Sequence, residues 1–92
     1  MLNDPNITLD EAISLAVKIQ AARIGSTLKQ VRERAGYAPT TFQDRYKGRR
    51  PWNTNDVDRL ARALGLPDGF ALYAVARGEA YHTERSEGGL LD

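Results

Sequence analysis

Four side chains in the middle of this chain have types and spacing that could read the edge of a planar ligand. Thr40, Gln43, Asp44 and Lys47 fall at i, i+3, i+4 and i+7, one stripe of a helix. Glutamine pairs a donor with an acceptor and can bond an adenine edge twice. A carboxylate can accept from a cytosine amino group. Threonine can donate or touch a thymine methyl, and lysine reaches a guanine or a phosphate. The opposite stripe holds Ala38, Phe42 and Tyr46, with Arg45 at its edge. An apolar side facing inward and a hydrogen-bonding side facing outward is what groove readout requires. An ordinary amphipathic helix with a solvated face has the same pattern, so the neighbouring residues decide between the two.

Those neighbours are basic. Residues 23–50 carry eight Lys and Arg against Glu33 and Asp44, a local charge of +6 inside a chain of net charge +1. Residues 1–22 and 79–92 carry −2 and −3, and residues 51–78 balance. A basic middle within a neutral chain is the footprint of an anion-binding surface. Arg49 and Arg50 follow the reading stripe, where a loop would meet a phosphate backbone. Thr27 and Lys29 open the preceding helix, whose amides and dipole favour an anion. Thr41 and Arg45 complete the expected phosphate set.

Helices must position these groups. Thr8-Leu9-Asp10-Glu11 is a capping box, and the helix it starts runs to about Ile24, with Gly25 as a left-handed stop. Leu9, Ala12, Ile13, Ala16, Val17, Gln20 and Ile24 share one face of it. A second box, Thr27-Leu28-Lys29-Gln30, starts a short helix that ends at Ala35 before Gly36, with Leu28, Val31 and Ala35 inward. Pro39 suits the first turn of a third helix, closed by Gly48. Asn53 or Thr54 caps a fourth, which carries Val57, Leu60, Ala61 and Leu64 inward and stops at Gly65. Pro67 starts a fifth, ending near Gly78 and apolar almost all round. Trp52, in the loop between the third and fourth, is expected to cover the edge of the core. Residues 1–78 thus read as one domain, and residues 79–92 as an acidic flexible tail.

Two short helices joined by a tight glycine-containing turn are the minimal helix-turn-helix. With Gly36 in the turn, Pro39 after it, Gly48 closing the third helix, Arg49-Arg50 next and the run Leu60-Ala61-Arg62-Ala63-Leu64-Gly65, the chain from about Ile13 to Leu66 resembles the helix-turn-helix domain of phage lambda-type repressors and Cro, the XRE family. The resemblance implies an all-α, five-helix lambda-repressor-like bundle. It further implies a third helix in the DNA major groove and a homodimer. Four positions depart from the family pattern: Leu28 stands where glutamine is usual, Arg32 where a small residue is usual, Pro39 where a polar reader is usual and Arg45 where an apolar residue is usual.

The expected function is therefore a small, phage-type regulator of transcription that binds double-stranded DNA and has no effector domain. A DNA-binding antitoxin whose tail engages a toxin is the nearest alternative, and an adaptor making only protein contacts is another. Phe70, Leu72, Tyr73 and Val75 on the fifth helix are the expected dimer contacts. The chain has no cysteine and a single histidine, His82, in the tail. With no phosphate-cradling glycine loop either, no enzyme, metal or cofactor is expected. No run of about 18 apolar residues occurs, and Met1-Leu2-Asn3-Asp4-Pro5 does not open like a signal peptide. The expected location is the cytoplasm of a bacterial or phage-infected cell.

Overall fold

A computed structural model describes residues 7–84, with side-chain surroundings given for residues 7–78. The described residues form five helices and no strand: α1 (Leu9–Arg23), α2 (Leu28–Ala35), α3 (Pro39–Tyr46), α4 (Thr54–Ala63) and α5 (Gly69–Glu84). None is long and apolar enough to cross a membrane.

Both threonine capping boxes form. Thr8 accepts from the Glu11 amide while Glu11 reaches back to the Thr8 amide, and Thr27 and Gln30 do the same. A third box, at Asn53 and Asp56, opens α4. Proline occupies the first turn of α3. Helices α1 to α4 stop by one device. A glycine follows each in the left-handed region, at φ 69°, 80°, 86° and 79° for Gly25, Gly36, Gly48 and Gly65. The next amide then bonds a carbonyl five residues back, as in Ser26 to Ala21, Tyr37 to Arg32, Arg49 to Asp44 and Leu66 to Ala61. A side chain at such a φ would be strained, so these stops are written into the glycines.

Ile13, Val17, Val31, Val57, Leu60, Leu64 and Leu72 are the largest fully enclosed side chains. They lie where α1 and α4 close on α5 and where α2 meets α4. Helix α3 makes no comparably close backbone approach to any other helix. It is attached by rings instead. Phe42 packs against Tyr37, Trp52 and Tyr46 with centroids 6.0, 5.9 and 5.6 Å apart. Trp52 covers the core edge as expected, and its indole N–H donates to Ser14 Oγ at 3.0 Å.

Three expectations are corrected. Leu9 and Ile24, the two ends of the α1 stripe, are exposed, and Ala21 is buried instead. The α1 stripe is longer than the core it faces. Helix α5 begins at Gly69 rather than Pro67, because Asp68 Oδ1 accepts from the Ala71 amide and caps it. It also passes through Gly78 to Glu84. Gly78 is not in the left-handed region, so nothing there stops the helix, and residues 79–84, assigned to the tail, are helical. The rest of that tail lies outside the described residues. Finally, Leu72 cannot be a dimer contact, because it is wholly enclosed in the monomer's own core together with Ala76. A helix that is apolar all round does not reveal which side faces inward. Tyr73 and Val75 are half-buried against that core, and Phe70 is 83% exposed.

Candidate nucleic-acid interface

Helices α2 and α3 are joined by residues 36–38 and present a shared groove. Its floor is Leu28, Pro39, Phe42 and Tyr46, and its rim is Lys29, Arg32, Gln43 and Lys47. Of the expected reading set, Thr40, Gln43 and Lys47 are exposed on α3 or at its end. Lys29 and Lys47, facing the same groove, have no ion-pair partner among the described residues, and neither does Arg50.

Asp44 has a part beyond the one expected of it. Its carboxylate accepts from Arg49 Nε at 2.9 Å, and its backbone carbonyl accepts from the Arg49 and Arg50 amides. The residue therefore anchors the loop that carries both arginines, and its Oδ1 is already engaged by Arg49. Arg49 itself remains largely exposed beyond that bond.

Arg45 is corrected. It was expected at a phosphate, yet its Nε donates to Asp56 Oδ2 at 3.1 Å and its guanidinium turns back to the Thr41 carbonyl. Asp56 is 4% exposed and is the buried charged residue of the core. Besides Arg45, it accepts the Tyr37 hydroxyl and, at 2.9 Å, the Asn53 amide. In the sequence Asp56 stands out only as a capping carboxylate. That a charge elsewhere shares it could be suspected only from Arg45, a cation at a position that is apolar in the pattern the chain resembles. Thr41 is half-buried beside this arginine. Thr27 is exposed, with its oxygen accepting the Gln30 amide and its own amide bonded to Gln30 Oε1.

Two arginines with no evident role in the sequence pattern close helix ends. Arg59 donates to the Ala35 and Gly36 carbonyls at the end of α2 and lies 4.1 Å over the Tyr37 ring. Arg34 donates to the Ala63 carbonyl at the end of α4 and to Ser26 Oγ. Each supplies positive charge where a helix dipole is negative. Arg32, at a position expected to be crowded, sends its stem along the groove and donates to the Tyr37 carbonyl at 3.0 Å.

Tyr37 is the residue most altered by these surroundings. Burial raises its phenol well above the ordinary value of 10.0, and the hydrogen bond and charge of Asp56 raise it further, opposed by Arg59 and Arg45. The folded state thus holds the proton more tightly than the unfolded chain. The stabilisation is complete below pH 10 and is lost as pH rises above it. Urea midpoints should therefore fall as pH increases beyond 10, with a slope up to about 1.4 kcal/mol per pH unit from this residue. Tyr37→Phe should flatten that decline, and an equal decline in both proteins would refute the assignment. Tyr46, also raised by burial, adds to the decline in the same direction.

Comparison with protein-family models, with curated proteins and with solved structures finds no match.

Proposed function

We propose that this chain is a sequence-specific regulator of transcription that binds double-stranded DNA, with α2 and α3 forming a helix-turn-helix and α3 entering the major groove. One observation carries the reading. An exposed stripe of hydrogen-bonding side chains, Thr40, Gln43 and Lys47, runs along α3, and Gln43 and Lys47 border a groove whose cations Lys29 and Lys47 have no counter-charge among the described residues. Unpaired cations beside exposed donors and acceptors suit a ligand with phosphates next to base edges. Arg49 and Arg50, tied to the end of α3 through Asp44, add phosphate contacts at a fixed distance from the readers. In this reading the protein works without a cofactor and is not an enzyme. A homodimer matching a two-fold operator would use the outer face of α5, where Phe70 is exposed beside Tyr73, with Val75 on the same helix.

The experiment is a salt titration of binding to a mixed-sequence duplex and to duplexes selected from a random pool. Replacing Arg49 and Arg50 with alanine should weaken both and reduce the slope of log K against log salt by about 0.9 for each phosphate no longer neutralised. Gln43→Ala should leave mixed-sequence affinity nearly unchanged and cost about 1–3 kcal/mol at one or two base pairs of the selected site. Salt-independent binding, or no sequence selected at all, would reject the proposal.

A further inference from the structure

Helix α3 makes no backbone approach as close as those among the other helices, so side chains must fix its direction. Asp56 and Arg59 sit three residues apart on α4, on one face of that helix. Asp56 takes the Tyr37 hydroxyl from the turn between α2 and α3 and Arg45 Nε from the last turn of α3. Arg59 covers the other side of the same tyrosine ring and bonds the final carbonyls of α2. Tyr37 is thereby held from its hydroxyl and from its face by a single helix. The third helix is held at both ends, through the tyrosine just before it and the arginine near its close.

We infer that this face of α4 is a clamp that sets the attitude of α3, with Asp56 as its central positioning residue acting through Tyr37 and Arg45. The consequence for sequence discrimination rests on the DNA-binding reading above, whereas the clamp itself does not. Tyr37 is buried and cannot touch a ligand, so any effect of its hydroxyl on recognition must travel through α3. Directional readout suffers when a helix tilts, because paired hydrogen bonds to a base edge need alignment. Phosphate attraction tolerates the same tilt, because it is long-ranged and nearly direction-free.

The test uses Tyr37→Phe and Arg45→Met, singly and together, in the full chain. Tyr37→Phe removes one hydrogen-bond donor to the carboxylate, and Arg45→Met removes a donor together with the counter-charge. Amide hydrogen exchange should then accelerate in α3, about tenfold in Tyr37→Phe and by more in Arg45→Met, and far less in α1 and α4. The double variant should fall short of the product of the two, because both act on one carboxylate. On DNA, the ratio of affinity for a selected duplex to that for a mixed-sequence duplex should drop about tenfold in each single variant, with the salt slope unchanged. Uniform acceleration across all helices, or unchanged α3 exchange, overturns the clamp. A salt slope reduced by about 0.9 in Arg45→Met would make that arginine a phosphate contact and overturn its positioning role. Should the wild type bind neither duplex, the DNA-binding reading falls alone, and the exchange pattern by itself upholds or overturns the clamp.

Discussion

Replacing Leu72 with glutamate is expected to unfold the protein rather than to release a monomer. Leu72 is completely enclosed where α5 meets α1 and α4. Trimming such a leucine to alanine costs about 2–5 kcal/mol. A carboxylate in its place adds the penalty of taking a charge out of water with no cation to meet it. The sum reaches the whole stability of a typical domain, about 5–15 kcal/mol. Circular dichroism should show helicity lost at room temperature, or a thermal transition shifted down sharply. Phe70→Ser is the companion. That side chain is 83% exposed, so helicity should stay, and on the homodimer proposed above self-association should weaken, as read by sedimentation. A folded Leu72→Glu protein would mean that α5 does not bury this side chain against α1 and α4.

Asp56→Ala should be nearly as damaging. The substitution removes the N3 half of the α4 capping box, about 1 kcal/mol by itself. It also strands the Tyr37 hydroxyl and leaves the half-buried Arg45 without its counter-charge. Breaking a buried ion pair from one side costs about 3–5 kcal/mol, and that range includes the hydrogen bonds removed with it. Asp44→Ala provides the contrast, since its pair with Arg49 is partly open to water and such pairs are worth about 0–1 kcal/mol. Urea midpoints of the two variants should differ widely. Similar midpoints would show that Asp56 is not the hub of the polar network.

The helix starts and stops were legible because each depends on residues within one turn. Thr8 with Glu11, Thr27 with Gln30, and the glycines at 25, 36, 48 and 65 act locally, and the structure uses every one of them. Gly78 failed as a stop for the same reason in reverse. A glycine ends a helix only if the backbone there turns left-handed, and the residues beyond it were able to continue. The orientation of α5 was not legible, because an all-round apolar helix has no periodic signal to separate Leu72 from Phe70. Nor was the fate of Arg45. On sequence alone, a guanidinium at the edge of α3 reads the same whether it meets a phosphate or a carboxylate eleven residues later. That choice is made by tertiary folding, which brings the α4 N-terminus beneath α3. The bond from Arg49 to Asp44 was not legible either, since Arg49 approaches only after Gly48 turns the chain back.

The ring cluster that attaches α3 has an optical consequence. Trp52 is the sole tryptophan of the chain, and it stands edge-on to Phe42 at 5.9 Å and to Tyr37 at 6.2 Å. Its emission therefore comes from one place, wedged between α3 and the rest of the molecule. Excitation at the red edge of the spectrum selects this indole over all four tyrosines. The protein thus carries an intrinsic fluorophore at the joint that matters most. A shift of α3 that opened this cluster to water would redden and dim the signal, and a ligand that locked α3 in place would leave it blue. Unlabelled protein can report, in real time, whether the third helix has moved.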